Sequence, residues 1–276
     1  MGNLAWLIPA LPLLAFLFHI AVGNKLGERA AWAGIIGMGL SFALATALLF
    51  ETLAGATAKF SFPWLTIGDV TIPMGYQVGP LESVVLFMVS LVGWMVVIYS
   101  TGYMHGDRRF NRFFSIVNLF LFGMLTLVLS DNFLMFLFAW EIMGLSSYLL
   151  IGHWFEDLGN ARAAMKAFLT TRLGDAGLIV GIALLFAYVG SFGFAEMEAA
   201  VEAGTIGLPI LTLIALLIFA GAAGKSAQVP LHVWLPDAMA GPTPVSAMIH
   251  AATMVAAGVF LVARSYPIFS HAPAAL

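Results

Sequence analysis

The chain of 276 residues has the composition of a membrane protein. Hydrophobic residues make up 62% of it, charged residues 9%, and the mean hydropathy is +1.01, whereas a soluble domain is about one quarter charged. The small net charge of −3 and the lack of a basic cluster argue against a nucleic acid partner. Because the chain has no cysteine, disulfides and cysteine-ligated zinc or iron–sulfur centres are excluded.

Eight apolar segments are long enough to cross a bilayer, which takes about 20 helical residues. They lie near residues 4–22, 31–53, 81–101, 113–130, 132–152, 164–189, 208–225 and 245–266. The segment 229–240 is too short to span, and we interpret it as the second half of a broken seventh helix. The connection 54–79 alternates apolar residues among glycines and prolines, which indicates a small hairpin. The predicted fold is an all-α polytopic membrane protein with about eight transmembrane helices, the seventh broken.

Cations are concentrated in every second connection between the predicted helices. The odd-numbered connections hold Lys25, Arg29, Arg108, Arg109, Arg112, Arg162 and Lys166. The second connection has only Lys59, and the fourth and sixth have no cation. By the positive-inside rule, the odd-numbered connections are cytoplasmic and the N-terminus is outside.

Glu141 lies near the middle of the fifth predicted helix. A carboxylate at that depth costs on the order of several kcal/mol unless it is paired or protonated. Ionisable residues at membrane depth are therefore functional candidates. A structural ion pair, or a protonated acid bonded to a neighbouring helix, is the alternative interpretation.

Lys225 ends the apolar run of the seventh helix. Burial disfavours an ammonium group, and a nearby carboxylate favours it. A lysine with a movable acid partner can therefore hold or release a proton near neutral pH. The alternative is a lysine whose ammonium group extends to the surface from a helix end.

Two prolines break the helix after Lys225. Pro230 and Pro236 have no N–H, so we expect the carbonyls of Ser226 and His232 to lose their helical donors. Unpaired backbone at membrane depth is tolerated only beside protein or water. The break therefore predicts free carbonyls, the Ser226 hydroxyl and water next to the ammonium group, although a kink used only for packing is the simpler interpretation.

Two histidines and one charge pair lie near these residues. His250 is two turns inside the eighth helix, and a histidine suits a proton relay; a hydrogen-bonded packing residue is the alternative. His232, on the short segment, is a weaker candidate of the same kind. Arg172 and Asp175 share a helix face, so they form an intrahelical pair unless Arg172 competes for Glu141 and so tunes Lys225.

Sequence motifs for electron or nucleotide chemistry are absent. The chain has no dinucleotide-binding glycine pattern, no P-loop and no nucleophile elbow, and its histidines lack the paired pattern of a haem-ligating cytochrome. We therefore expect no cofactor and no metal in this chain. Small residues such as AGAAG at 220–224 indicate close helix packing.

Residues 224–264, GKSAQVPLHVWLPDAMAGPTPVSAMIHAATMVAAGVFLVAR, closely resemble the most recognisable stretch of the antiporter-like subunits of respiratory complex I. The stretches FAWEIMGLSSYLLIGHW, KAFLTTRLGDAG and YSTGYMHGDRRFNRFF are similar to that family as well. The resemblance runs over nearly the whole chain and is greatest to the chain L group of NADH-quinone oxidoreductase. It separates that group less well from the large subunits of multisubunit sodium/proton antiporters.

The resemblance implies a site and a function. Carried over to this sequence, Glu141, Lys225 and His250 form half of a proton path, and Arg172 and Asp175 tune it. The implied protein is a proton-translocating membrane subunit of NADH-quinone oxidoreductase, coupled to redox chemistry in other subunits. Neighbouring antiporter-like subunits would be its partners, in a bacterial inner membrane.

The resemblance also implies a division of the chain. Family members have two inverted helical repeats, and this sequence contains one five-helix repeat, helices four to eight. It corresponds to the N-terminal half of a relative, as a fragment, a truncated product or half of a split subunit. Residues 1–103 form an N-terminal three-helix region, and 104–276 form the proton-translocation repeat. A sodium/proton antiporter subunit and a non-transporting structural membrane module are the alternative functions.

Overall fold

Long apolar helices make up most of the structure, a computed structural model that describes residues 2–68, 70–251 and 253–275. The longer helices are α1 (Leu7–Phe18), α3 (Ala31–Leu53), α4 (Pro80–Tyr103), α5 (Phe110–Leu129), α6 (Phe133–Ile151), α7 (Leu158–Val189), α9 (Leu208–Lys225), α10 (Thr243–Ala251) and α11 (Met254–Arg264). The shorter ones are α2 (Asn24–Leu26), α8 (Phe194–Glu202) and α12 (Tyr266–Ser270). A π-turn covers His19–Gly23, and 3₁₀ turns cover Gly2–Leu4, Gly27–Ala30, Leu231–Trp234, Asp237–Ala240 and Pro273–Ala275.

Seven helical runs among the described residues are long and apolar enough to cross a membrane. The first run, Gly2–Leu53, contains two of the predicted helices, α1 and α3, because residues 19–30 between them form consecutive helical turns. The chain turns between them at Gly27, whose φ of 61° favours glycine. Counted separately, these two helices and the six remaining runs give the predicted eight.

The eighth predicted helix is interrupted near its middle. α10 ends at Ala251, and α11 begins at Met254. Between them, Thr253 has a non-helical backbone (φ −125°, ψ −93°), and its hydroxyl donates to the carbonyl of Met248.

The connection after α3 forms the predicted hairpin. Strands β1 (Ala58–Ile67) and β2 (Val70–Val78) pair antiparallel, with Ala58 opposite Val78 and an irregularity between Pro63 and Leu65. The hairpin lies beside the turn between α5 and α6, where the Asn132 side chain donates to the carbonyl of Pro73 at 3.1 Å. We refer to this end of the helices as the hairpin side.

Helix α5 is the centre of the bundle. It packs against α1, α4 and α6, and most of its side chains are fully buried, including Phe113, Phe120, Leu121 and Met124. A helix that is apolar on every face is stable only inside a protein or a membrane. We refer to α1, α3 and α4 as one side of α5, and to α6, α7 and α9 as the other.

The prediction that residues 229–240 form the second half of a broken helix is wrong. Residues 231–240 form two 3₁₀ turns, and α9 already ends at Lys225. The chain leaves the helix at Ala227, which has a φ of 50°. Only five residues separate Pro230 from Pro236, so a continuous α-helical ladder cannot form between two positions without an N–H.

Candidate functional site

The side chain of Lys225 is fully buried at the end of α9. Its Nζ lies 3.5 Å from Oδ2 of Asp175 on α7 and 5.4 Å from the centre of the Trp140 ring on α6. Among the described carboxylates, only that of Asp175 forms an ion pair with Lys225. The ammonium group is thus held between three helices, against one acid and one aromatic face.

Glycines make the space that Lys225 occupies. A Cβ on Gly144 of α6 would lie 2.6 Å from Nζ, so the ammonium group rests directly on the helix backbone. Behind it, a Cβ on Gly174 would lie 2.6 Å from the carbonyl oxygen of Ala220 and 3.1 Å from Cα of Gly224. The close packing predicted from the small residues at 220–224 is confirmed, and it brings α7 and α9 near enough for Asp175 to reach Lys225.

Asp175 is held from two directions. Its Oδ1 accepts a hydrogen bond of 2.6 Å from Nε1 of Trp140, while its Oδ2 faces Lys225. The carboxylate is 1% exposed. A buried carboxylate needs both a counter-charge and hydrogen bonds to offset its lost hydration, and the two neighbouring helices supply one of each.

Arg172 connects this pair to Glu141. Its Nη1 forms an ion pair with Oε2 of Glu141 on α6 and lies 3.9 Å from Oδ2 of Asp175. The charges therefore alternate along one line: Glu141, Arg172, Asp175, Lys225. Glu141 does not pair directly with Lys225, because Arg172 competes for it and Asp175, one turn further along α7, takes the lysine. The structure contains both predicted contacts of Arg172, the ion pair with Glu141 and the longer intrahelical pair with Asp175.

The backbone at the break is paired, contrary to expectation. The Ser226 carbonyl accepts from Nε2 of Gln228 at 3.2 Å, and the His232 carbonyl accepts from the Leu235 N–H at 3.1 Å. The Ser226 hydroxyl donates to the Val255 carbonyl on α11 at 2.7 Å. The predicted free carbonyls are wrong, because local side chains and a tight turn replace the donors that the prolines remove.

The remaining predicted residues are His250, His232 and Pro230. His250 is partly buried on α10, while His232 and Pro230 are exposed. In the part of the chain that the structure describes, no hydrogen bond or ion pair joins either histidine to Lys225. The Nε2 atom of His250 is buried and has no hydrogen-bond partner there, so its place in a proton path stays a prediction.

Three contributors to the site were missed from the sequence. Trp140 and Gly144 flank Glu141 on α6, and Trp234 donates from Nε1 to the carbonyl of Gly224 at 2.9 Å. Gly144 is three residues from Glu141, a spacing that places it on the same helix face. That signal was available, whereas the reach of Trp234 across ten residues depends on the turn itself.

The family of the chain follows from its sequence matches. Residues 130–275 match the family described as NADH:quinone oxidoreductase/Mrp antiporter, TM, which is more than half of the chain. This chain belongs to that family. Residues 64–114 match the family described as NADH-Ubiquinone oxidoreductase (complex I), chain 5 N-terminus. All four charges of the site lie within the first matched region.

Several relatives match almost all of this chain. It is 45% identical to the NAD(P)H-quinone oxidoreductase subunit 5 of the Paulinella chromatophora chromatophore, over 98% of this chain and 42% of that protein. It is 43% identical to the NADH-quinone oxidoreductase subunit L of Neisseria meningitidis, over 98% of this chain and 42% of that protein. The chain thus spans about two fifths of the length of these relatives.

Two solved structures share the fold. The Mrp complex from Dietzia sp. superposes with a TM-score of 0.82 at 28% identity, over 94% of this chain and 27% of the matched chain. A chain of the membrane-bound sulfane sulfur reductase, an archaeal respiratory membrane complex, gives a TM-score of 0.80 at 20% identity, over 95% of this chain and 40% of that one. The second likeness is one of fold alone.

Proposed function

We propose that this chain carries protons as a membrane subunit of an NADH:quinone oxidoreductase. The observation that supports the proposal is a fully buried lysine whose counter-charge, Asp175, is 3.5 Å away and also within reach of Arg172. A charge buried at membrane depth costs free energy even when it is paired, so such residues are functional candidates. Relatives with nearly complete coverage of this chain are named as subunits of such enzymes.

The line of charges suggests how a proton is held and released. While Glu141 binds Arg172, the carboxylate of Asp175 is left to stabilise the Lys225 ammonium. If Glu141 is protonated or moves away, Arg172 turns to Asp175, and Lys225 loses part of its counter-charge and releases its proton. Two unit charges 4 Å apart interact by about 4 kcal/mol at an effective dielectric constant near 20. That exceeds the cost of about 2.3 kcal/mol for moving a proton against 100 mV.

The proposal extends to the rest of the path and to the partners. His250 receives the proton that leaves Lys225, and His232, Ser226 and Pro230 shape the surroundings. Neighbouring antiporter-like subunits continue the route, and redox centres in other subunits drive it, so the chain needs no cofactor. The proposed location is a bacterial inner membrane. The N-terminus lies outside, because the odd-numbered connections carry the cations.

Replacing Lys225 in the assembled complex tests the proposal. We expect Lys225→Ala to abolish proton pumping while the complex remains assembled. Lys59→Ala is the matched control, since Lys59 is an exposed lysine on strand β1 of the hairpin. Pumping that survives Lys225→Ala in an intact complex would reject the proposed function.

A sodium/proton antiporter subunit is the second candidate. The likeness to a chain of the Mrp complex, at a TM-score of 0.82, favours it. Sodium-dependent proton transport without NADH oxidation would support this candidate over the first. A non-transporting structural role would instead leave the complex active after Glu141→Gln.

A further inference from the structure

Two connections meet on the side of the molecule opposite the hairpin. Asp107 lies between α4 and α5, and His153 lies just beyond the end of α6. The His153 side chain is fully buried, and its Nε2 is 3.2 Å from Oδ1 of Asp107. Asp107 is 16% exposed and lines a polar cavity of about 320 Å³ together with Glu28, Asn111 and Arg112. The carboxylate thus connects a buried imidazole to a cavity at the surface.

The Asp107 carboxylate is stabilised as an anion. Oδ1 accepts from the Arg109 N–H at 2.7 Å, and Oδ2 accepts from Nε1 of Trp154 at 3.0 Å. Burial raises the pKa of Asp107, but the hydrogen bonds from Trp154, Arg109 and His153 outweigh it, so the pKa lies below its usual range. Asp107 therefore only accepts hydrogen bonds at neutral pH.

This fixes the tautomer of His153. Since the carboxylate accepts, Nε2 must carry the hydrogen, and Nδ1 is left with a free lone pair. Nδ1 is buried, and among the described residues it has no hydrogen-bond partner. Buried polar atoms are nearly always satisfied, so an unpartnered acceptor beside an anchored imidazole indicates a site for a proton or for a water that delivers one.

The charges around His153 oppose one another. Burial lowers the pKa of His153, the Asp107 carboxylate raises it, and Arg112 and Arg109 lower it again. The Arg109 guanidinium is itself paired with Glu156 and donates to the His153 carbonyl at 2.8 Å. The remaining neighbours are aromatic, with the Phe113 ring edge-on at 5.5 Å and the Trp154 ring at 5.8 Å. The imidazole is neutral at rest, and the Asp107 carboxylate can stabilise a protonated form.

We propose that Asp107 and His153 form a proton-binding dyad beside the polar cavity. One proton adds to the Nδ1 lone pair, Nε2–H remains bonded to the carboxylate, and no bond between heavy atoms changes. His153 lies just beyond α6, which ends at Ile151, and Glu141 lies ten residues before that end, about 15 Å along the helix. The dyad thus binds a proton at the end of the helix that carries Glu141. Its role in transport rests on the proposed function, but proton binding by the dyad does not.

Nitrogen NMR of the full chain, labelled with ¹⁵N-histidine and reconstituted in lipid nanodiscs, tests the dyad directly. His153→Gln, or His153→Asn if the first variant does not fold, assigns the signal. We expect Nε2 to carry the hydrogen at pH 8, and Nδ1 to gain a proton below pH 6.5. Asp107→Asn should lower the proton affinity at least about tenfold, because it removes the anionic partner.

His105→Gln is the matched control. His105 is 76% exposed and pairs with Glu28 at 2.7 Å on the same side of the molecule, so its loss should leave the His153 titration unchanged. A hydrogen on Nδ1 at pH 8, no titration between pH 4 and 8, or a titration that Asp107→Asn does not alter would each overturn the proposed dyad.

A second measurement separates this inference from the proposed function. In the assembled complex, His153→Gln should lower the pumping rate several-fold and flatten its dependence on pH between 5 and 7. Lys225→Ala should abolish pumping at every pH. If the wild-type complex does not pump protons, the proposed function fails, and the NMR titration still tests the dyad. If the wild-type complex pumps and His153→Gln has the same rate and pH profile, the role of the dyad in transport is rejected.

Discussion

The two sides of α5 bury polar groups in different ways. On the α6–α7–α9 side, four ionisable side chains stand in a line, and each faces an opposite charge on another helix or one turn away. On the α1–α3–α4 side, most buried polar groups are neutral donors to backbone carbonyls: Ser41 to Ile8 at 2.8 Å, Trp94 to Ile35 at 3.0 Å and Ser100 to Val96 at 2.6 Å. Its buried carboxylate, Glu82, lies at the very start of α4 and pairs with Arg264 at 3.0 Å.

This difference has a physical basis. A carbonyl is enough for a neutral donor, whereas a buried charge needs an opposite charge and a fixed geometry. Fixed geometry requires helices that approach closely, and glycines and alanines provide this between α7 and α9. We therefore expect substitutions on the α6–α7–α9 side to cost more, and to affect transport, while those on the α1–α3–α4 side affect stability alone.

Asp175→Asn should have the largest effect on stability. It leaves the Lys225 ammonium buried without its ion-pair partner, which typically costs about 3–5 kcal/mol. The free energy of unfolding in mixed micelles measures the loss. Glu198→Gln, at an exposed position on α8, is the control and should change stability by less than about 0.5 kcal/mol.

A double variant sharpens this first prediction. Adding Lys225→Met to Asp175→Asn removes the unpaired charge, so much of the lost stability should return. If Asp175→Asn alone lowers the free energy of unfolding no more than the exposed control does, the Asp175 carboxylate does not stabilise the buried ammonium group as we expect.

Gly174→Ala should have the next largest effect. Its Cβ would lie 2.6 Å from a backbone oxygen of α9, so the two helices must separate, at a cost of about 1–3 kcal/mol. Gly102→Ala in α4 is the matched control, because a Cβ there has nothing within 4 Å, and alanine favours a helix over glycine by up to about 1 kcal/mol. Thermal unfolding midpoints of the two variants should move in opposite directions; a shift of the same sign and size would contradict the contrast between the two sides.

Ser41→Ala should have a smaller effect. It removes one hydrogen bond to the Ile8 carbonyl between α1 and α3, which is worth about 0.5–1.5 kcal/mol. Proton pumping should be unchanged, since no ionisable partner is involved. Thr212→Ala serves as the comparison, because that hydroxyl is exposed and bonds within its own helix; a loss of pumping in Ser41→Ala would place the α1–α3–α4 side in the transport route.

Gly144→Ala should change stability least and yet alter transport. The added Cβ meets the flexible ends of two side chains, Nζ of Lys225 at 2.6 Å and Nη2 of Arg172 at 4.0 Å, so the ammonium group can shift without a movement of the backbone. It moves relative to Asp175, however, and we expect the pumping rate to fall. Equal pumping by Gly144→Ala and Gly102→Ala would indicate that the position of Nζ is not critical.

Much of the fold could be predicted from the sequence, because bilayer thickness sets the length of apolar segments. The eight spans and the hairpin at 54–79 followed from length, hydropathy and turn residues. The interruption at Thr253 did not, because it depends on a single hydroxyl that bonds to the Met248 carbonyl. Nor did the 3₁₀ turns at 231–240, since proline shows where a helix stops and not which turn replaces it.

The site was predictable as a set of residues but not as a set of pairs. Charge and depth were enough to select Glu141, Arg172, Asp175 and Lys225. Which acid faces which base depends on how α6 and α7 are rotated about their axes, and one sequence contains no measure of that rotation. The hydrogen bonds from Gln228 and Trp234 to backbone carbonyls could not be predicted either. Each side chain reaches its carbonyl only because the chain turns after α9.

The length of α7 has a mechanical consequence. Its 32 residues form one uninterrupted rod, which bears Lys166, bridged to Asp237 in the segment after α9 at 2.7 Å, and Arg172 and Asp175 further in. Lys166 is about 9 Å from Arg172 along the axis. Because α7 is continuous, a displacement of its outer end at this bridge would move Arg172 and Asp175 by the same distance. α7 can therefore transmit motion at the surface of the molecule to the buried charges.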